Sequence, residues 1–484
     1  MKRNFAFAIF LGLIFLGSAQ AANLKAYLSY ASYVSPVDGP YIETYISVVG
    51  NSVVFHRNEN GKFQGAIQIV MIFKQDSAIR SFKKYELLSP ETEDTALINF
   101  NFIDQQRFLL PNGKYNLEIS IADKYKGRAP FTVTKPIEID YSPDKINFSG
   151  IQLIESFSKT NVTGILTKNG YDYIPFVDDF YPSTLSKLTF YAELYNAEKM
   201  LGADEKFVIT NSIESAETGK IVSAFHKLRR ETVRPVNVVF SEFDISQLPS
   251  GNYYLAIEAR NKENVLLARN QVFFQRSNPS IQFNIGDITA LNVENTFVNN
   301  ISNIDTLREY IRSVSPISTS TENTFATNQL KTSNLQTLQQ FFLNFWMTRN
   351  NADPGKAWEL YRIEVRKADA AFHTKVQKGY DTDRGRVFLK YGPPNTIVDR
   401  PFEQEVVPYQ IWHYYKLGSF TNKKFIFYEP DLVTNYFMLL HSDVQGEVST
   451  PDWQKSLIRN PGTEGFQPGT RYDGKTGDDF NNPR

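Results

Sequence analysis

From residue 24 to about 140, apolar and polar positions alternate in short runs at 24–33, 41–49, 65–73, 96–102 and 115–122. Turn-forming residues separate the runs. The run Tyr115-Asn116-Leu117-Glu118-Ile119-Ser120-Ile121 alternates cleanly, which sends one face to a core and the other to water. The run beginning at Tyr41 alternates less regularly. Strands at this spacing predict an antiparallel β-sandwich over 22–140.

The pattern then repeats. Leu110-Pro111-Asn112-Gly113-Lys114-Tyr115 leads into Leu117 and Ile119, and Leu248-Pro249-Ser250-Gly251-Asn252-Tyr253 leads into Leu255 and Ile257. Pro and Gly make a turn, Tyr enters a strand, and alternating apolar residues fill a core. The shared pattern resembles the entry to a late strand of immunoglobulin-like and fibronectin-like sandwiches, and it predicts a second sandwich over 141–276.

Residues 277–328 change character, being rich in Asn, Ser and Thr with one amphipathic stretch at 304–314. They read as a linker carrying a short helix. The period then shifts from two to about 3.6. Leu335, Leu338, Phe342, Phe345 and Trp346 share one helical face. Asp353 and Pro354 open a second helix with Trp358, Tyr361, Val365, Ala368 and Phe372 on one side. Strand-like runs follow at 387–391, 410–415, 424–428 and 435–440, so 329–447 reads as a small α+β domain. Residues 448–484 lack apolar periodicity and read as a polar tail, extended or disordered. The predicted fold is multi-domain and mainly β: two tandem sandwiches, a small α+β domain and a tail.

The third module carries a specific signature. Gly379-Tyr380-Asp381-Thr382-Asp383-Arg384-Gly385-Arg386, flanked by Phe345-Trp346 upstream and Ile411-Trp412 downstream, resembles the signature of GWxTD-domain proteins, found mostly in Bacteroidota. The resemblance covers about 335–445 and departs at the naming tryptophan, where Tyr380 stands. It implies an exported envelope protein without an agreed enzymatic activity. Read physically, Gly379 can end a helix in a left-handed conformation. Asp381, Thr382 and Asp383 can bond backbone amides of a tight turn. Arg384 or Arg386 can pair with those carboxylates, and Gly392-Pro393-Pro394 can close the strand before it. The alternative is a cleft in which Trp346, Tyr380, Asp381, Thr382, Asp383, Arg384, Arg386 and Trp412 bind a ligand or partner. Two carboxylates at i and i+2 are weak grounds for a cation site, and no metal or other cofactor is expected.

Composition adds an address. Lys2 and Arg3 precede an apolar run over 5–16, and small residues end at Ala21, the layout of a cleavable signal peptide over 1–21. That run is shorter than the ~20 residues a bilayer span needs, so no transmembrane segment is expected after cleavage. With no cysteine in the sequence there is no thiol to lipidate, and disulfides and thiolate metal sites are excluded. The resemblance to GWxTD-domain proteins, through their home bacteria, implies a periplasmic or outer-membrane-associated setting. Lys+Arg and Asp+Glu balance at 52 each, which gives no electrostatic case for nucleic acid. The densest basic patch, Lys227, Arg229, Arg230 and Arg234, reads as a solvated strand or turn face.

Known chemistries find little support. Gly469 to Thr476 fits a phosphate-loop pattern but lies in the polar tail, without the strand and helix that make such a loop work. The five histidines lack zinc spacing, and no nucleophile elbow occurs. The expectation is a non-catalytic envelope scaffold or adaptor with a protein partner. A glycan- or peptidoglycan-binding module is the alternative, and a hydrolase with a carboxylate pair assembled in space is the third reading.

Overall fold

The computed structural model describes residues 24–458, except 128, 163, 165, 169, 282–290, 404–405, 419, 432–435 and 451, together with residue 480. The expected signal peptide and the phosphate-loop-like pattern lie outside the described residues. The chain divides into two compact units, the first ending at Asp140 and the second beginning at Tyr141.

The first unit holds β1 (Ala26–Ser35), β2 (Gly39–Val49), β3 (Phe55–Arg57) and β4 (Phe63–Gln75). It continues with β5 (Ala78–Leu88), β6 (Asn101–Leu109), β7 (Gly113–Asp123) and β8 (Phe131–Ile139). One sheet runs β1-β2-β6 and the other β3-β4-β7-β8, with β5 on β4. Alternation sets the core: Ile67, Ile69, Met71 and Phe73 of β4 and Leu117 and Ile119 of β7 point inward. Phe73 meets Phe108 of the facing sheet at 4.8 Å. The expected strand at 96–102 starts only at Asn101, because Asp94 accepts from the Ala96 amide and turns residues Thr95–Leu97 into a single 3-10 turn.

The second unit opens with another pair of sheets, antiparallel except where the short strand β13 runs parallel to β19. Its strands are β9 (Asn147–Phe148), β10 (Gln152–Lys159), β11 (Thr167–Lys168), β12 (Tyr171–Pro175), β13 (Phe180–Tyr181) and β14 (Lys187–Tyr195). After a short helix α1 (Ala197–Leu201) come β15 (Lys206–Ser215), β16 (Ile221–Thr232), β17 (Val236–Asp244), β18 (Gly251–Arg260) and β19 (Leu266–Arg276). The orders are β11-β12-β10-β14-β17 and β13-β19-β18-β15-β16. Leu188, Phe190, Val239 and Phe243 of one sheet pack with Phe207, Ile209, Leu255, Ile257 and Phe274 of the other. Lys227, Arg229 and Arg230 of the basic patch lie on the outermost strand β16, and Arg234 in the connection after it. Lys227 and Arg229 donate to the Glu242 and Val238 carbonyls of β17, the outermost strand of the facing sheet.

The repeated sequence pattern is a repeated structure. Tyr115 donates to the Pro111 carbonyl at 2.8 Å, and Tyr253 donates to the Pro249 carbonyl at 3.0 Å. In each case the phenol folds back over its own turn. A Cβ at Gly251 would sit 3.1 Å from the Tyr253 hydroxyl, which explains the glycine between proline and tyrosine.

The remainder is a helical layer followed by a four-stranded meander. Its helices are α2 (Ile304–Ser313), α3 (Ser320–Gln329), α4 (Leu335–Arg349), α5 (Pro354–Phe372) and α6 (Asp383–Tyr391). Strands β20 (Thr396–Arg400), β21 (Tyr409–Leu417), β22 (Phe420–Tyr428) and β23 (Met438–Ser442) pair in sequence order, and α7 (Trp453–Ser456) follows. Asp353 caps α5 with Pro354 at its first position, as the sequence implied.

Three expectations are corrected here. The described residues 291–328 of the expected linker are not a linker: Val298, Leu307, Ile311, Val314 and Phe325 share one core with Leu338, Phe342, Phe345 and Trp346 of α4. Polar composition misled because α2 and α3 bury narrow stripes and leave the rest in water. Residues 387–391 are helix, not strand. Thr382 caps α6 by accepting from the Gly385 amide, Asp383 sits in its first turn, and Gly392 at φ +82° ends it. The described part of the expected tail is packed: Trp453 and Leu457 join Val406, Tyr409 and Ile426 in a core, and the Val407 amide donates to the Leu457 carbonyl.

Candidate functional site

The signature residues sit where α5, α6 and the meander meet, and the backbone there is tightly packed. Gly379 lies against α5, where a Cβ would come 2.1 Å from the Ala368 carbonyl oxygen. Gly385 lies against Gly379, where a Cβ would come 1.7 Å from the Gly379 oxygen. Only glycine permits either approach. The expectation that Gly379 ends a helix in the left-handed region is corrected: it opens a 3-10 turn over Gly379–Asp381, and its amide donates to Asp369 at 2.6 Å. Thr382 ties the crossing together. Its hydroxyl donates to the Gly379 carbonyl at 2.7 Å and accepts from the Gly385 amide at 3.1 Å.

The charged signature side chains bond outward from this knot, each to a different element. The Asp383 carboxylate accepts from the Leu439 amide of β23 at 2.8 Å. Arg386 approaches Asp383 only to 4.0 Å and instead forks onto Glu447 at 3.1 and 2.7 Å. Lys390 and Tyr391 also donate to Glu447, at 3.0 and 2.7 Å. Burial alone would raise the Glu447 carboxyl, but the Arg386 bonds and the Lys390 and Arg386 charges outweigh it and hold it at about 2. Arg384 pairs with neither signature aspartate. Its guanidinium lies 4.1 Å from the Phe437 ring centre and 5.5 Å from that of Phe372. Burial lowers it to about 10, with Asp399 and Glu429 opposing, so it stays charged at neutral pH.

Tyr380, in the position of the family's tryptophan, is buried, and its hydroxyl donates to Glu309 of α2 at 2.9 Å. Burial and the Glu309 carboxylate both push that phenol up. Asp381 is exposed. Trp412 is fully buried beside Phe372 at 5.4 Å, and its indole donates to Gln410, which also accepts from Arg384. Tyr380, Asp381, Thr382, Asp383, Arg384, Arg386 and Trp412 therefore gather around one junction. Trp346 does not: it belongs to the helical core, 5.8 Å from Trp358 and 5.5 Å from Tyr361. Asp369, Gln410, Phe437 and Glu447 were not visible as partners of Gly379, Arg384 and Arg386 in the sequence, since each lies 10 to 61 residues from the signature group it meets. All four tryptophans are buried in this part of the chain, so none lies on a sandwich face.

The second sandwich and the meander touch directly. Tyr254 meets Phe420 at 6.1 Å, and Lys220 donates to the Thr348 carbonyl. A Cβ on Gly446, at φ +84°, would lie 3.1 Å from the Phe273 ring.

Paired antiparallel sheets ahead of a helix-and-meander domain with a locked signature turn define a modular, mainly β protein. Its third module is a GWxTD domain: the model of that family matches residues 287–452. The match begins well before 335, in agreement with the helices that share the α4 core. Among solved structures, the fibronectin(III)-like modules of Clostridium thermocellum CbhA align at 11% identity over 50% of this chain and 89% of theirs, with a TM-score of 0.14. A beta-glucuronidase of Bacteroides uniformis aligns at 10% identity over 48% of this chain and 26% of its own, with a TM-score of 0.16. A glycosyl hydrolase family 2 member of Bacteroides cellulosilyticus aligns at 10% over 48% and 28%, with a TM-score of 0.19. At these scores the alignments add nothing to the sheet topology described above. No curated protein matches the chain.

Proposed function

We propose that the protein is an exported, non-catalytic scaffold or adaptor of the cell envelope that binds a protein partner through its GWxTD domain, in an outer-membrane assembly or secretion setting. The observation that carries this reading is how the signature is used. Thr382 ties α6 to the Gly379 turn, and Asp383 and Arg384 reach Leu439 and Phe437 at the last meander strand. Arg386 reaches Glu447 beyond it, so all four hold α6 in place instead of converging on a substrate. The contact through Tyr254, Phe273 and Gly446 makes the second sandwich a fixed mount for that domain. Export rests on the basic start and apolar run of residues 1–21. Among the described residues no helix is long and apolar enough to cross a membrane.

The test is crosslinking in the native envelope, followed by pull-down of the tagged chain and of a variant lacking 287–452. A single envelope protein captured by the full chain and lost in the variant supports the scaffold. Capture by neither, together with turnover of a glycan or peptide by the purified protein, overturns it.

A further inference from the structure

The helical layer of the GWxTD domain carries a cleft of about 380 Å³ between the segment 297–306 and the first half of α5. Its floor is aromatic: Phe297 and Tyr310 are half-buried and present ring surface, and buried Trp358 backs Tyr310 at 4.8 Å. Its rim is polar. Asn300 and Thr306 stand exposed on one side, and Glu359 and Arg362 face them as an ion pair at 2.8 Å.

The walls are braced from behind. Gln339, buried on α4, donates both amide hydrogens, to the Val298 carbonyl at 3.0 Å and the Ile301 carbonyl at 3.1 Å. That pair of bonds sets the turn that presents Asn300. Gly355 leaves room for Phe297, since a Cβ there would lie 3.2 Å from the Phe297 Cβ. A recess whose shape is held by buried hydrogen bonds is ready for a ligand before the ligand arrives.

We propose that this cleft binds a neutral mono- or disaccharide. Its volume lies near the lower end of the roughly 300–1,000 Å³ common for small-molecule sites, room for one or two sugar rings. The aromatic floor suits the C–H face of a pyranose, because the electron-rich ring face attracts weakly positive hydrogens. The rim suits the hydroxyls. The Asn300 amide offers a donor and an acceptor, the Thr306 hydroxyl offers both, and neighbouring sugar hydroxyls can donate to Glu359 while accepting from Arg362. Because Glu359 and Arg362 cancel, the rim gives little advantage to an anion or a cation over a neutral polyol. This site is independent of the protein-partner reading above.

The test is calorimetric titration of the full-length exported protein with cellobiose, maltose and N,N′-diacetylchitobiose, with sodium phosphate and trialanine as comparators. Saturable binding of at least one disaccharide is expected, weakened about tenfold or more by Asn300→Ala and by Arg362→Ala. Both side chains sit at the rim, so the urea midpoint of each variant should match the parent, and Arg230→Ala on β16 should bind like the parent. No binding of any of the three sugars at millimolar concentration, or sugar binding that survives both rim changes, overturns the proposal. Phosphate or trialanine binding that is lost in the rim variants, in place of sugar, overturns it as well.

Discussion

Replacing Gly385 by alanine tests the glycine crossing most directly. The new methyl carbon would lie 1.7 Å from the Gly379 carbonyl oxygen and 2.6 Å from its carbon. Ordinary contact requires roughly twice the first distance, so the two backbone segments must part by about 1.5–2 Å. Such a separation breaks the Thr382 bonds to Gly379 and Gly385 and strains the Gly379 bond to Asp369. Three bonds at about 1 kcal/mol each, with overpacking of about 1–3 kcal/mol, outweigh the ~1 kcal/mol that alanine gains over glycine in a helix. The expected loss is about 3 kcal/mol or more. Gly392→Ala is the comparison, since nothing lies within 4 Å of its Cβ and only the positive φ resists, costing about 1–2 kcal/mol. The four tryptophans all lie between Trp346 and Trp453, so tryptophan fluorescence during urea unfolding reports this domain without contribution from the sandwiches. If Gly385→Ala unfolds within about 1 kcal/mol of the parent, or matches Gly392→Ala, the crossing is not the constraint described here.

Glu447→Gln should cost about 3 kcal/mol by the same fluorescence assay, because Arg386 and Lys390 lose their shared counter-charge while staying largely buried. The pH dependence follows from the same group. A carboxyl held at about 2 against 4.5 contributes stability that is full above about pH 4.5 and lost as pH falls toward 2. That amounts to ~3 kcal/mol. Acid titration should show this loss in the parent and a flatter profile in Glu447→Gln, with Arg386, Lys390 and Tyr391 as the facing groups. Tyr115→Phe and Tyr253→Phe each remove one phenol bond to a proline carbonyl and should cost about 1 kcal/mol apiece, read by far-UV circular dichroism; unequal costs would argue against equivalent corners.

The sandwiches were legible because period two, punctuated by Pro-x-Gly-x-Tyr, is a local signal. The tyrosine corners confirm it bond for bond, since donor and acceptor are four residues apart. The signature was located correctly and read in the wrong conformation. Asp381-Thr382-Asp383 reads equally well as a turn or as a helix cap, and the choice depends on Gly385 finding room beneath Gly379, a contact between segments that no local pattern reports. Arg386 illustrates the same limit. Nearby Asp383 looked like its partner, yet Glu447, 61 residues on, takes both arms of the fork because it can do so from a buried position. Residues 291–328 were misplaced because a helix needs only a narrow apolar stripe to join a core, and composition averages that stripe away.

The cross-sheet bonds of Lys227 and Arg229 bear on how copies of this chain behave when crowded. Outermost strands expose rows of carbonyls and amides that can template growth by further strands. Here two long cationic side chains from β16 occupy outward carbonyls of β17, latching one rim of the sandwich shut. Unlatching that rim would turn a self-contained module into a sticky end, open to strand exchange with its neighbours.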